Sequence, residues 1–180
     1  MIQRGVTAEV FFTLAPSRQP QNLIDGLLYA SPLPTEEHED LVLVLAEALD
    51  AFAGANGGKV FVNRPCWLGD ETVVEPDVAY LVPDRVRSAG RYLREAPDLA
   101  VEVLSPGTKL FDTEAKFTAY GACGVREAWF VDPEAKYVTV VYGDGAAWNR
   151  EQVVAFGDVI PSEVLAGIGA AGLGPAELGA

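Results

Sequence analysis

The most constraining feature of the sequence is an apolar segment with one acidic residue near its middle. Residues 98–104 read Asp-Leu-Ala-Val-Glu-Val-Leu and are followed by Ser105-Pro106-Gly107, which breaks the pattern. Aliphatic and β-branched residues bounded by turn residues predict a strand. Glu102 therefore lies in a predicted strand whose other residues are apolar and favour burial. An ionised carboxylate is costly to bury there unless another group pairs with it.

A second acidic residue, Asp77, lies in another apolar segment. We interpret residues 73–82 as one strand that Pro76 interrupts. Two carboxylates on neighbouring strands repel each other, and a divalent cation bound by both removes that penalty. Hard oxygen ligands suit Mg²⁺ or Mn²⁺.

Lys116 lies on a helix predicted for residues 111–122, directly after the Glu102 strand. From there its amine could reach the same site and orient a water nucleophile or stabilise charge on a phosphate. The alternative is that Asp77 and Glu102 face solvent at a sheet edge and that Lys116 is a surface charge. The residues by themselves favour neither interpretation.

The remaining pattern predicts an α+β protein with a mixed β-sheet core, flanking helices and extra β-hairpins. Thr35 can cap a helix, which Gly54 ends. Further strands are predicted on both sides of an Asp-Gly turn within residues 22–29, at residues 59–63, 127–131 and 137–142, and in a hairpin around Trp148 and residues 153–156.

The chain length of 180 residues favours a single domain, 1–180. Residues 1–20 show little periodicity and are interpreted as an N-terminal arm or edge segment. Residues 21–165 form the predicted core, and residues 166–180 form a Gly/Ala/Leu-rich C-terminal tail.

Composition limits the function classes. Thirteen Lys+Arg against 26 Asp+Glu give a net charge of −13, which counts against an architectural DNA-binding protein. It does not exclude an enzyme whose acidic site holds a cation. Two distant cysteines and one histidine offer no disulfide framework or zinc spacing. With no apolar run of about 18 residues and no signal-peptide pattern, we expect no membrane association and a cytoplasmic location.

Four segments resemble a known family. They are Pro-Asp-Val-Ala at residues 76–79, Pro-Asp-Leu-Ala-Val-Glu-Val-Leu-Ser-Pro at 97–106, residues 112–120 with Lys116 and Tyr120, and Gly-Val-Arg-Glu-Ala-Trp-Phe-Val-Asp-Pro at 124–133. Together they resemble the Uma-type family of putative restriction endonucleases, a family of the PD-(D/E)XK nuclease superfamily. The resemblance extends from about residue 24 to about residue 165.

The resemblance implies a restriction-endonuclease-like fold and a metal site. It implies that Asp77 and Glu102 ligate Mg²⁺ (or Mn²⁺), with the Val103 carbonyl as an additional ligand. The superfamily's usual lysine follows the glutamate by two residues, where this chain has Leu104. In this family the lysine lies on the following helix, which indicates Lys116; Lys109 is a weaker candidate.

The chain departs from the family at its first hairpin. Relatives often have Glu-Leu-Ile-Asp-Gly-Glu there, whereas this chain has Asn22 and Leu27 in place of the two glutamates. If one of those glutamates completes the site, metal affinity or activity is reduced. Asp25, or a helix carboxylate such as Glu37, could substitute, and the sequence does not choose between them.

Several residues are weaker candidates for substrate contact. His38, at the start of the first long helix, could contact substrate or act as an acid or base, although a structural hydrogen bond is the favoured interpretation. Arg85 and Arg87 belong to a basic cluster between residues 85 and 94, which is either a solvated loop or a surface that holds DNA phosphates next to Asp77. Ser105 is a further candidate.

The predicted function is a metal-dependent endonuclease that hydrolyses phosphodiester bonds, with DNA as the expected substrate and Lys116 positioning the attacking water. Two alternatives remain open. One is a catalytically impaired nuclease fold that serves as a binding or regulatory module, and the other is hydrolysis of a small phosphorylated ligand. The resemblance also implies a homodimer.

Overall fold

A computed structural model describes residues 5–14, 19–87, 90–105, 111–166 and 172–173, with the backbone alone described at residues 111–113, 166 and 172–173. The helices are α1 (Ala8–Phe11), α2 (Glu36–Asn56), α3 (Phe111–Ala122) and α4 (Glu163–Ala166). The strands are β1 (Gln21–Ile24), β2 (Leu27–Ala30), β3 (Lys59–Val62), β4 (Cys66–Gly69), β5 (Thr72–Val74), β6 (Val78–Leu81), β7 (Leu99–Val103), β8 (Glu127–Asp132), β9 (Tyr137–Gly143), β10 (Trp148–Ala155), β11 (Ile160–Pro161) and β12 (Gly172–Leu173).

The core is a six-stranded mixed sheet in the order β10-β9-β8-β7-β6-β3. Its neighbouring strands are antiparallel except for β7 and β8, which run parallel. A parallel pair needs a crossover connection, and α3 lies in the connection between β7 and β8. The predicted α+β class with a mixed sheet, flanking helices and hairpins is confirmed.

Helix α2 packs on one side of this sheet. The Thr35 hydroxyl accepts a hydrogen bond from the His38 amide at 3.2 Å, which confirms the predicted cap. Val42, Leu45 and Leu49 follow helical spacing and are buried in one cluster with residues of β6, β7, β8 and β9. The helix continues past the predicted end at Gly54, because it is Gly57, with φ +85°, that adopts the conformation that ends it.

Helix α3 has the bounds predicted from the sequence. Its residues Ala119 and Tyr120 pack with Ala100 of β7 and Phe130 of β8 in a second buried cluster. Since side chains alternate along a strand, the odd-numbered residues of β7 face α2 and the even-numbered residues, including Glu102, face α3. This alternation determines which helix can supply a partner for Glu102.

The segment 73–82 is two strands and not the predicted single strand. β5 belongs to a second sheet, in the order β2-β1-β5-β4, whereas β6 pairs with β3 and β7 in the core sheet. The chain changes sheets at Glu75-Pro76-Asp77, where proline cannot donate a ladder hydrogen bond. β4, which the sequence pattern did not indicate, is the other partner of β5.

The predicted N-terminal arm packs on the second sheet in its described part. Val6 and Ala8 are buried with Leu23 and Val73. At the other end, β12 within the predicted tail pairs with β11. The division into arm, core and tail stays a prediction. Throughout the described segments, no helix is long and apolar enough to cross a membrane.

Candidate functional site

The start of β6 and the end of β7 meet at a cavity of about 360 Å³. β6 and β7 are antiparallel with Val78 opposite Val101, so extending the register by one residue places Asp77 opposite Glu102. Directly opposite residues project from the same face of a sheet. The polar side chains that line this cavity are Ser31, His38, Glu39, Asn63, Glu75, Asp77, Glu102, Ser105 and Lys116.

Asp77 is fixed at the edge of the cavity by the neighbouring strand. The Val103 amide donates to Asp77 Oδ2 at 2.7 Å. A carboxylate that accepts a backbone amide is oriented without losing its charge. The sequence prediction for Val103 concerned its carbonyl; the structure shows its amide in contact with Asp77, and the ligand role of the carbonyl stays a prediction.

Glu102 is only 5% exposed and is held by two side chains of α3. Lys116 Nζ donates to Glu102 Oε2 at 2.7 Å, and the Tyr120 hydroxyl donates to Glu102 Oε1. Lys116 and Tyr120 are four residues apart and thus lie on the same face of the helix. The two donors orient the carboxylate from one direction, which leaves it facing the cavity from a buried position.

The electrostatics of this site raise the pKa of Glu102, so that its neutral and ionised forms are both populated near pH 7. Burial is the main cause that raises the pKa of Glu102 to about 7; the charge of Lys116 opposes the shift and the charge of Asp77 adds to it. Burial, together with the charge of Glu102, also raises the pKa of Tyr120 well above its usual range. Tyr120 therefore remains a hydrogen-bond donor to Glu102.

Glu75 is a site residue that the sequence reasoning missed. Its carboxyl group lines the cavity, burial raises its pKa, and its backbone carbonyl accepts a hydrogen bond from Lys116 Nζ at 3.1 Å. In the sequence Glu75 precedes Asp77 by two residues, but its position in the site follows from the change of sheet at Pro76, which a local pattern does not display.

The departures at the first hairpin have a structural explanation. The buried Asn22 side chain accepts a hydrogen bond from the Glu75 amide at 2.8 Å through Oδ1, so it holds the segment that carries Glu75. Asp25, in the exposed turn, and the exposed Glu37 are both absent from the cavity lining among the described residues. The further acids in the cavity lining are Glu75 and Glu39, so a carboxylate of α2 does line the cavity, although it is not Glu37.

His38 belongs to the site and contacts Asp77. Its Nε2 lies 3.3 Å from Asp77 Oδ2, and its Nδ1 is buried with no hydrogen-bond partner in the described structure. Burial lowers the pKa of His38, but the hydrogen bond and the charge of Asp77 outweigh it, so the pKa is raised overall. Ser105 also lines the cavity, whereas Lys109 lies outside the described residues.

The placement of Arg85 next to Asp77 is wrong. Arg85 lies after the far end of β6, where its Nη1 contacts Asp98 Oδ1 at 2.7 Å and its Nη2 donates to the Ala96 carbonyl at 2.7 Å. Asp77 precedes the near end of β6, so roughly 15 Å of strand separates the two positions. Arg87 is exposed beyond the same far end. Asp98, a buried acid that needs a cation, is the physical reason for the position of Arg85.

The donor set suits a hard divalent cation. The described residues contain no group of three or more His, Cys, Asp or Glu side chains already arranged around a metal position. Mg²⁺, however, commonly binds through one or two carboxylates, with waters and substrate phosphates completing the coordination. Asp77 and Glu102 supply two such carboxylates on one face, and Glu39 and Glu75 are two further acids in the cavity lining.

Comparison with known proteins agrees with this fold. A solved structure described as a putative nuclease belonging to DUF820 from Anabaena variabilis superposes with a TM-score of 0.82 at 18% sequence identity, covering 96% of this chain and 97% of that chain. No curated protein matches. The model of the Uma2 family, described as putative restriction endonuclease, matches residues 8–172. The chain therefore belongs to the Uma2 family.

Proposed function

We propose that the protein is a metal-dependent endonuclease that hydrolyses phosphodiester bonds in DNA at the cavity between β6 and β7. One observation carries the proposal: acids from two adjacent strands and a lysine from the crossover helix meet in one cavity. Family membership supports the same reaction class.

In this proposal Asp77 and Glu102 hold Mg²⁺ or Mn²⁺, with Val103 as a backbone ligand. The bound ion would lower the pKa of a water molecule and neutralise charge on the phosphate. Lys116 orients the attacking water and stabilises negative charge on the phosphate oxygens, because its ammonium is held at the site by Glu102 and the Glu75 carbonyl.

Two further residues would prepare these groups. The Tyr120 hydroxyl and the Lys116 amine fix the orientation of Glu102. His38, against Asp77 Oδ2, limits the rotation of that side chain at the opposite side of the pair. Ser105 is placed to contact substrate at the end of β7.

A nicking assay tests the proposal. Supercoiled plasmid is incubated with wild-type protein and with Glu102→Gln, Lys116→Met and Lys136→Met, in Mg²⁺, in Mn²⁺ and in EDTA. Lys136 is an exposed turn lysine and serves as the matched control. We expect cation-dependent nicking by wild type and Lys136→Met, and loss of nicking in the other two variants. Nicking that survives in both of them would contradict the assigned roles.

The competing function is a nuclease fold without catalysis. The close pairing of Lys116 with Glu102 favours it. A folded wild-type protein that neither binds Mn²⁺ in calorimetry nor nicks DNA would support this alternative. The homodimer and the cytoplasmic location remain proposals that follow from the family resemblance and the composition.

A further inference from the structure

Resting on the proposed function, we infer that the cavity accepts one unpaired nucleotide, so that the substrate is single-stranded or locally unpaired DNA and not an intact duplex. The observation behind this inference is that acidic residues and a wall of apolar side chains line the same small cavity. Three properties of that cavity, namely its size, its apolar wall and its charge, support the inference separately.

The size suits a single nucleotide unit. The cavity volume is about 360 Å³, near the lower end of the roughly 300–1,000 Å³ that is typical of pockets for small ligands. The bases of a duplex are stacked and paired, so a nucleotide can place its base in a pocket only when it is single-stranded or extruded from the duplex. A nucleotide whose base occupies this cavity beside the acidic groups is therefore an unpaired one.

The apolar wall provides a surface for a base. It is formed by side chains from the segment before α2, from α2 and from β3, namely Pro32, Pro34, Val42, Leu43 and Val62. Leu43 is 55% exposed and Val62 is 42% exposed, although both lie at the mouth of the cavity. Covering such side chains with the flat face of a base removes apolar surface from water, and only an unpaired base has that face available.

The charge of the cavity lining disfavours electrostatic binding to the phosphates of a duplex. Among its described lining residues, Lys116 is the sole Lys or Arg, against the four acids Glu39, Glu75, Asp77 and Glu102. Duplex binding depends mainly on many lysine and arginine contacts to phosphates. Arg85, the strongest candidate for such contacts, is engaged by Asp98 away from the cavity. Affinity must therefore come from the base more than from the backbone.

Fluorescence anisotropy tests the inference without requiring cleavage. The wild-type protein is titrated against a labelled single-stranded oligonucleotide and against the same strand in a duplex, in Ca²⁺ and again in EDTA. We expect the single strand to bind at least about tenfold more tightly. With one lysine contact, log affinity should fall against log salt with a slope of about −0.7 for the single strand.

Matched variants test whether the base of the bound nucleotide contacts the apolar wall. Val62→Ser and Leu43→Ser should each weaken single-strand binding by about fivefold. Val153→Ser is the control, because Val153 is 59% exposed on β10, the edge strand at the other side of the same sheet, and should leave binding unchanged. All three positions are exposed, so none of these substitutions is expected to unfold the protein.

Each outcome is decisive. Equal or tighter binding of the duplex, or no binding of either form, overturns the inference, and so does an affinity that Val62→Ser and Leu43→Ser leave unchanged. Single-strand binding that depends on the wall, in a protein that never nicks DNA, sustains the inference while the proposed hydrolysis fails. Single-strand binding together with preferential cleavage of single strands supports both.

Discussion

The two ends of the β6–β7 strand pair both contain buried carboxyl groups, but these groups differ in how their charge is balanced by neighbours. At one end, the buried Asp98 accepts hydrogen bonds from the Val82 amide at 2.9 Å, from Arg85 at 2.7 Å and from Arg126 at 3.1 Å. At the other end, Asp77 and Glu102 repel each other, and the cavity beside them is lined by a further acid, Glu75.

The comparison separates an acid whose charge is compensated by its neighbours from an acid whose pKa is raised by burial. Asp98 has cations and a backbone donor in place, so its charge is neutralised and burial is tolerated. Glu102 has one lysine and one hydroxyl, which does not prevent burial from raising its pKa to about 7. An end of the sheet with more acid than cation, open to a cavity, is the end at which a bound divalent ion would stabilise the protein.

The largest expected effect is on activity at the cavity end. Glu102→Gln keeps the shape of the side chain but removes the charge, so we expect phosphodiester hydrolysis to fall about a thousandfold or more. The folded protein should not be destabilised at pH 7, because the wild-type carboxyl group is already near its pKa. Initial nicking rates and chemical denaturation measure the two quantities. Normal activity, or unfolding of the variant, would contradict the comparison.

The second effect is a pH dependence of stability that Glu102 produces at the cavity end. The pKa of Glu102 is raised on folding from its model value of 4.5 to about 7, so the folded state binds the extra proton. Its contribution to stability is therefore present below about pH 4.5 and is lost as the pH rises toward 7, on the order of 3 kcal/mol in full.

The measurement is a difference between two proteins. The free energy of unfolding of wild type, minus that of Glu102→Gln, should fall between pH 5 and pH 7 and level off above. A difference that stays flat would show that folding leaves the pKa of Glu102 unchanged, and one that rises with pH would show that folding lowers it; either result would contradict the expected shift.

The third effect is on the free energy of unfolding and comes from the Asp98 end of the strand pair. Asp98→Asn weakens the contacts with Arg85 and Arg126, and we expect it to lower the free energy of unfolding by about 2 kcal/mol. Nicking by the folded fraction should stay within about twofold of wild type, since Asp98 lies a strand length from the cavity. Denaturant titration and nicking assays at low temperature test this. A large loss of activity in folded Asp98→Asn would contradict the assignment of hydrolysis to the cavity end alone.

The smallest effect concerns the hydroxyl that orients Glu102. Tyr120→Phe removes the donor to Glu102 Oε1 and should reduce hydrolysis by about tenfold while the fold is kept. Tyr80→Phe is the matched control, because the buried Tyr80 hydroxyl donates to the Gly57 carbonyl at 2.9 Å and is not part of the cavity. We expect both variants to lose similar stability and only Tyr120→Phe to lose activity. Equal activities would assign Tyr120 a structural role alone.

The sequence predicted the parts of the site that local patterns encode. The bounds of α3 and the cap at Thr35 follow from spacing and residue type. The apolar residues around Glu102 identified a carboxyl group that is costly to bury in its ionised form. The convergence of Asp77, Glu102 and Lys116 was one of two stated possibilities; all three residues line one cavity, and Lys116 contacts Glu102. The catalytic roles of these residues remain predictions.

The rest depended on pairings between distant segments. The change of sheet at Pro76, and thus the position of Glu75, is determined by which strands β5 and β6 pair with. One of the two alternatives for the basic cluster put Arg85 next to Asp77, whereas antiparallel pairing puts Arg85 beside Asp98. Register between remote segments is set by packing of the whole core, which a single sequence does not display.

Calorimetric titration with Mn²⁺ tests the central claim most directly, with wild type, Asp77→Asn and Asp98→Asn compared under one condition. The proposal predicts saturable binding to wild type, the same affinity in Asp98→Asn, and loss of binding in Asp77→Asn. Binding that persists unchanged in Asp77→Asn, or that is lost in folded Asp98→Asn, would contradict the assignment of the cation site to the cavity end of β6 and β7.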